Sequence, residues 1–90
     1  MLTKSFLKDL NTRAQQLKPV VLIGNNGLTE NVHREIETAL LAHELIKIRV
    51  NADTKESRQE MITEIAQKHD AAIVSTIGHI LVIYRENPEL

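Results

Sequence analysis

Hydrophobic residues recur along the chain with two different spacings, which predict three helices and four strands. The first helix covers residues 3 to about 17, where one helical face carries apolar side chains at Phe6, Leu7, Leu10, Ala14 and Leu17. A second helical pattern covers residues 28 to 43, and a third covers residues 53 to 69. Short apolar segments lie between and after these helices, and we predict strands at residues 20–23, 45–51, 71–77 and 80–85.

The predicted strands differ in whether one or both of their faces are buried. Residues 20–23 are all apolar, which predicts that both faces of this strand are covered and that it has an inner position in the sheet. Apolar and polar residues alternate in the segment 45–51, so one face should pack in the core while the other faces water. The polar face of that strand carries Lys47, Arg49 and Asn51.

The predicted order α-β-α-β-α-β-β constrains the topology. Strands joined through a helix pair in parallel with right-handed crossovers, whereas Gly78-His79 suits the two-residue type II′ turn of an antiparallel hairpin. We therefore expect an α/β (α+β) fold of two layers, with helices on a mixed four-stranded sheet. Ninety residues suit one domain, 1–90, in which residues 86–90 form a short tail.

A glycine loop, Gly24-Asn25-Asn26-Gly27, joins the first strand to the second helix. Two glycines allow positive φ and leave no Cβ beside the backbone, and the first N–H groups of the following helix have no partner within it. Such a loop can bring backbone donors close to a phosphate. It differs from a Walker loop and from the dinucleotide fingerprint in glycine spacing. On the motif alone, a purely structural turn is the more frequent explanation.

The composition excludes several kinds of site. The chain has no cysteine, which excludes disulfides, zinc–thiolate sites and cysteine nucleophiles. No two histidines are three or four residues apart, and no Gly-x-Ser-x-Gly motif is present. We therefore expect no metal, no cofactor and no catalytic residue. Because the sequence shows neither the apolar core of a signal peptide nor a membrane-length apolar run, we expect a cytoplasmic protein.

The formal net charge is −1, but the charges are unevenly distributed. Residues 1–27 carry a net charge of +3 and residues 46–52 carry +2, whereas residues 28–45 carry −3, residues 53–70 carry −2 and residues 71–90 carry −1. Positive charge is therefore concentrated on the first helix and on one strand. This segregation can give a basic face on a nearly neutral molecule, although ordinary solvated helix charge would produce the same composition.

Three stretches of the sequence carry a resemblance to a known family: Lys18 to Val32, His43 to Ile48, and Ile77 to Arg85. In their order and spacing they resemble the bacterial YhbY family, which consists of single-domain members of the CRM group, named for chloroplast RNA splicing and ribosome maturation. The resemblance implies a fold similar to the C-terminal domain of translation initiation factor 3, with Gly24 to Gly27 as the signature loop. It also implies an RNA-binding domain linked to precursors of the large ribosomal subunit (pre-50S).

The resemblance and the charge pattern together predict an RNA-binding surface and not an enzyme. The candidate RNA-binding residues are Gly24, Asn25, Asn26, Gly27, Lys18, Lys47, Arg49, His79, Arg85, Lys4 and Lys8. The expected partner is ribosomal RNA in large-subunit precursors, bound by a monomer with no membrane partner and no preference for DNA. Two alternatives remain open. One is a protein-interaction module whose glycine loop is only a turn, and the other is an enzyme or sensor with an enclosed pocket for a small phosphate ligand.

Overall fold

The computed structural model describes residues 2–90 and contains the elements in the predicted order. The helices are α1, Lys4–Ala14, α2, Glu30–His43, and α3, Lys55–His69. The strands are β1, Val21–Ile23, β2, Leu45–Val50, β3, Ala72–Ile77, and β4, Ile80–Tyr84. Each predicted helix and strand is confirmed, and the largest difference from the prediction is the end of α1.

Each helix begins after a threonine whose side chain caps the first turn. The hydroxyl oxygens of Thr3, Thr29 and Thr54 accept hydrogen bonds from the backbone N–H groups three residues later, at 3.1, 3.2 and 3.0 Å. Caps of this kind contribute about 1 kcal/mol each to helix stability. At its other end α1 stops before the predicted residue 17, because the N–H groups of Gln16 and Leu17 donate to carbonyls only three residues back.

The strand order in the sheet is β1-β2-β4-β3. β1 and β2 are parallel, whereas β4 is antiparallel to both of its neighbours, β2 and β3. The β3–β4 hairpin turns at Gly78 and His79, of which only Gly78 has a positive φ, +58°, as a type II′ turn requires. The mixed four-stranded sheet is therefore confirmed.

The two faces of the sheet belong to separate hydrophobic clusters. One face packs against α2 and α3, where Ile48 and Ile83 contact a cluster that includes Ile36 and Ile65. The other face packs against α1 through a smaller cluster, Leu10, Ala14, Leu45 and Val82. Because β2 and β4 carry apolar side chains on both faces, helices cover both. The α+β class is confirmed, with three layers where we had expected two.

The prediction of an inner position for β1 was wrong, because β1 is an edge strand paired only with β2. Val21 and Ile23 are buried on the face that α2 and α3 cover. On the other face, Val20 and Leu22 are 53% and 58% exposed. α1 packs farther along this face, over β2 and β4, and leaves the corner formed by β1 open.

A chain of polar side chains joins α2, α3 and the end of β4 on the side of the sheet away from α1. His33 Nδ1 and His69 Nε2 lie 2.9 Å apart, and the outer nitrogens of the two rings face Glu64 at 3.2 Å and Glu37 at 3.0 Å. Glu37 also accepts two hydrogen bonds from the Arg85 guanidinium, at 2.9 and 2.7 Å. A carboxylate can only accept hydrogen bonds, so each of the two outer ring nitrogens must carry a proton. The contact between the two rings needs one more proton, which makes three N–H protons on two imidazole rings.

Protonation of Glu37 should destabilise the fold. Hydrogen bonds from Arg85 and, to a smaller extent, from His69 lower the pKa of this carboxyl from 4.5 to about 2. A pKa lowered by folding stabilises the native state above the unfolded-state pKa, and that contribution disappears as the pH falls from 4.5 towards 2. Since the Glu37 side chain is 43% exposed, solvent screening limits the contribution to about 1–2 kcal/mol.

Urea unfolding of the wild-type protein and of Glu37→Gln measures this contribution. We expect the difference in the free energy of unfolding between the two proteins to be largest near pH 7 and to shrink steadily below about pH 4. A difference that stays constant down to about pH 2 would contradict the pairing of Glu37 with Arg85.

Candidate nucleic-acid interface

The glycine loop forms an exposed turn between β1 and α2. The Gly27 N–H donates to the Gly24 carbonyl at 3.1 Å, and the intervening Asn25 and Asn26 are exposed. Among the backbone hydrogen bonds outside helices and strands in residues 2–90, none is donated by the N–H groups of Asn25 or Asn26. Two main-chain donors at the tip of the turn therefore remain free to bind a ligand.

The N-terminus of α2 contributes less to this site than the sequence suggests. Leu28 and Thr29 separate the glycine loop from the helix, which begins at Glu30. Thr29 accepts hydrogen bonds from the N–H groups of Val32, through its side chain, and His33, through its carbonyl, at 3.2 and 3.1 Å. A helix end that is already capped and has a carboxylate in its first turn attracts a phosphate weakly. The donors that matter are those of the loop itself.

The two glycines of the loop should respond differently to alanine. Gly27 has a φ of +70°, which costs a residue with a Cβ about 1 kcal/mol, whereas Gly24 has no positive φ and an added Cβ would meet no atom within 4 Å. We therefore expect Gly27→Ala to lower the free energy of unfolding by about 1 kcal/mol and Gly24→Ala to leave it nearly unchanged. Urea unfolding measures both values, and equal losses would contradict this loop geometry.

Two cations lie on β2, next to β1, on the face of the sheet that α1 covers only in part. Arg49 is exposed and Lys47 is half-buried, and both face the α1 side because Ile48, between them, fills the opposite face. Arg49 is paired across the sheet with Leu22, two residues before the glycine loop. Within residues 2–90 neither cation forms a salt bridge. Their charge is available to an anionic partner.

The end of α1 adds more positive charge beside β2. A groove of about 370 Å³ lies between this helix end and the strand, and its basic lining residues are Arg13, Lys18, His43 and Lys47. Arg13 contacts Asp9 at 3.6 Å, but both side chains are about half exposed, so water screens this pair. The sequence did not identify Arg13 as a site residue, because its position on the polar side of α1 is typical of ordinary surface charge.

The turn between β3 and β4 lies at the same end of the sheet as the glycine loop. The Val50 N–H donates a hydrogen bond to the His79 carbonyl at 2.7 Å. The Val50 carbonyl in turn accepts a hydrogen bond from His79 Nδ1 at 3.2 Å. A carbonyl can only accept, so Nδ1 carries the proton and Nε2 is the nitrogen left for other contacts. His79 is exposed and is thereby held beside the end of β2.

A polar depression of about 420 Å³ adjoins the glycine loop. Gly24 and Asn25 contribute to its lining, together with Asn51, Asp53 and Ser57 from the chain after β2. The Asp53 carboxylate would repel a small phosphate held there. Within residues 2–90 there is also no cluster of three or more histidine or acidic side chains that could hold a metal ion.

Arg85 lies at the opposite end of the sheet from the glycine loop. It follows β4 beyond Tyr84, and its guanidinium is held by Glu37 and by the His69 carbonyl, the latter at 2.9 Å. Its side chain is only 21% exposed. The structure thus assigns the charge of Arg85 to a contact within the protein, and we leave this residue out of the candidate interface.

Lys4 and Lys8 also lie away from the glycine loop, exposed on the N-terminal half of α1. This half of the helix is fixed at the far end of the sheet by Phe6, whose ring meets that of Tyr84 edge-on with centroids 5.3 Å apart. Tyr84 is therefore part of the packing under α1.

The β1–β2 edge of the sheet thus combines a loop with free backbone donors after β1, two cations on β2 that form no salt bridge within residues 2–90, and a basic groove beside the start of β1. We name this surface the basic end, and its residues are Arg13, Lys18, Gly24, Asn25, Asn26, Gly27, Lys47, Arg49 and His79. Three of the predicted cations, Lys4, Lys8 and Arg85, lie outside it.

Comparison with known proteins identifies the family of this chain. A family model, the CRS1 / YhbY (CRM) domain, matches residues 2–85, which include the whole basic end. The chain belongs to the CRM domain family. An RNA-binding protein of Haemophilus influenzae is 52% identical to this CRM domain over 86 residues, which cover 96% of this chain and 84% of that protein. The "Probable RNA-binding protein YqeI" of Bacillus subtilis is 32% identical over 89 residues, covering 99% and 93%.

A solved structure shares the fold of this CRM domain. The solution structure of a hypothetical Staphylococcus aureus protein, described there as a candidate RNA-binding protein, matches with a TM-score of 0.82 at 31% identity. The match covers 97% of this chain and 91% of that chain. The resemblance seen in the sequence is therefore confirmed. In residues 2–90 no helix has the length and apolar character that a membrane span requires.

Proposed function

We propose that this CRM domain binds RNA with its basic end. The observation that carries the proposal is the position of Lys47 and Arg49, which lack acidic partners in residues 2–90 and lie on the strand next to an exposed loop with two free N–H donors. Phosphate oxygens bind both kinds of group. Relatives in Haemophilus influenzae and Bacillus subtilis, named as RNA-binding proteins, support this function.

The proposed mechanism is to hold the RNA chain without altering it. The main-chain N–H groups of Asn25 and Asn26 donate to phosphate or sugar oxygens, and their side-chain amides can donate further hydrogen bonds. Lys47 and Arg49 then neutralise neighbouring phosphates, and Lys18 extends the contact along the groove at the end of α1. No step requires a nucleophile, a metal ion or a cofactor.

The proposed target is ribosomal RNA in precursors of the large subunit, which this domain would contact in the cytoplasm as a monomer while assisting assembly. The support is the resemblance of the glycine loop and its flanking segments to the YhbY family. The net charge of −1 also suits this target, because weak long-range attraction limits binding to unrelated RNA. Affinity would then come from local contacts within a larger ribonucleoprotein.

Ultraviolet crosslinking in cells tests the target. We expect the tagged protein to recover precursor large-subunit RNA and the variant Lys47→Glu/Arg49→Glu to lose this recovery. The control variant Lys55→Glu/Lys68→Glu makes the same change in charge on α3, on the side of the sheet opposite α1, and should recover RNA normally. Equal recovery by all three proteins, or recovery of no ribosomal RNA, would contradict the proposal.

The variant Gly24→Ala distinguishes RNA binding from the alternative of a purely structural turn. It should fold normally because the site of the added methyl group is open. If the loop backbone contacts RNA closely, the methyl group should still weaken binding; if the loop is only a turn, binding should not change. The other alternative, a small-phosphate enzyme or sensor, receives little support from a depression that contains Asp53.

A further inference from the structure

A row of side chains crosses all four strands on the face of the sheet that α1 covers only in part. The pairing register places Leu22 of β1 beside Arg49 of β2, Arg49 beside Ile80 of β4, and Ile80 beside Ile77 of β3. Because paired residues share a face, these four side chains lie side by side. With strands about 4.8 Å apart, the row is about 14 Å long.

Both ends of the row are uncovered, although three of its four side chains are aliphatic, and Ile80 inside the row is half-buried against the cluster under α1. Ile77 is 75% exposed and Leu22 is 58% exposed. The neighbouring row, which includes Lys47 and Val82, lies partly under α1, and that helix ends at Ala14 and covers only Ile80 of the first row in part. The result is an apolar strip with the Arg49 guanidinium in its middle and the Lys47 ammonium at its border.

This combination fits single-stranded RNA. The faces of unpaired bases are apolar enough to pack on aliphatic side chains, a guanidinium can stack on a base, and phosphates pair with both cations. In a duplex the base faces are already stacked on one another, so only the phosphates could use this surface. A row of about 14 Å accommodates a short run of unstacked bases.

Resting on the proposed function, we infer that unpaired RNA bases pack across the row Leu22–Arg49–Ile80–Ile77 while their phosphates contact Lys47 and Arg49. The basic end then does more than attract RNA, because the row selects segments that are single-stranded. In a ribosomal precursor such segments are loops, bulges and regions that have not yet paired.

Substitution of the exposed aliphatic residues by threonine tests the inference. Threonine is β-branched, which suits a strand, and it removes most of the apolar side chain, so Leu22→Thr and Ile77→Thr should fold normally. The matched control is Ile73→Thr, which lies on the same strand as Ile77 but is paired with Ile83 on the opposite face and is 41% exposed. Thermal unfolding of each variant checks that the fold is retained.

The measurement is the affinity for an unstructured oligonucleotide and for a hairpin duplex RNA of similar length. We expect the double variant Leu22→Thr/Ile77→Thr to bind the unstructured RNA about tenfold more weakly, to bind the duplex with less than a twofold change, and to keep the salt dependence of the wild-type protein. Ile73→Thr should bind both RNAs normally.

The outcomes separate this inference from the proposed function. If the double variant binds both RNAs normally while Lys47→Glu/Arg49→Glu does not, RNA binding stands and the inference fails, and the row would then be available to a protein partner. Equal weakening for both RNAs would also overturn the selection of unpaired bases. If the wild-type protein binds neither RNA, the proposed function itself fails.

Discussion

Reversing the charge of both Lys47 and Arg49 should weaken RNA binding about 100-fold at roughly 0.1 M salt. Each lost phosphate contact removes the favourable release of counterions, and the two new carboxylates repel the same phosphates. If the wild-type protein neutralises about four phosphates, its binding constant should fall with salt with a logarithmic slope near −3, and the variant should show a slope near −1.5. Folding should be retained, because Arg49 is exposed and Lys47 is only half-buried.

Fluorescence anisotropy with a labelled RNA over a range of salt concentrations measures both quantities. The control Lys55→Glu/Lys68→Glu has the same net charge as the variant, so it separates the local contacts from the overall charge of the protein. If the control loses as much RNA affinity as Lys47→Glu/Arg49→Glu does, then only the net charge of the protein determines RNA binding. A wild-type slope near zero would remove the electrostatic part of the proposal.

Replacing Arg85 with methionine should have the largest effect on stability among the surface changes considered. The variant loses two charge-assisted hydrogen bonds to Glu37 and one bond to the His69 carbonyl. A carboxylate that remains near buried histidines without its cation is unfavourable, although screening by water at Glu37 limits the penalty. We expect the free energy of unfolding to fall by about 2 kcal/mol, which corresponds to a melting temperature about 10 °C lower.

The same variant also tests the exclusion of Arg85 from the RNA-binding surface. Well below its melting temperature, Arg85→Met should bind RNA as the wild-type protein does. A variant with normal stability and weakened RNA binding would show that Arg85 acts at an RNA contact. Circular dichroism on heating and anisotropy at low temperature provide the two measurements.

Local patterns were sufficient to predict the elements and part of the site. The alternation of apolar and polar residues in β2 assigned Lys47 and Arg49 to the polar face of the strand, because the side-chain period of a strand depends only on the neighbouring residues. The two glycines and their spacing predicted the tight loop between β1 and α2.

Long-range packing decided what the sequence could not predict. A run of four apolar residues at 20–23 suggested an inner strand, but its position depends on the order of the strands, which leaves β1 at the edge. The acceptor of the Arg85 guanidinium, Glu37, lies 48 residues earlier in the chain, and no local pattern indicates that pairing. Arg13 likewise approaches Lys47 only because α1 packs across the sheet.

Chemical-shift mapping tests most directly whether the basic end is the RNA-binding surface. In a titration of ¹⁵N-labelled protein with an unstructured RNA oligonucleotide, the largest shift changes should fall on the backbone amides of residues 24–27, on Lys47 and Arg49, and on Leu22 and Ile77. The amides of Leu41 in α2 and Glu64 in α3, on the side of the sheet opposite α1, should remain unchanged. Shift changes centred on α2 and α3, with the glycine loop unaffected, would contradict the account.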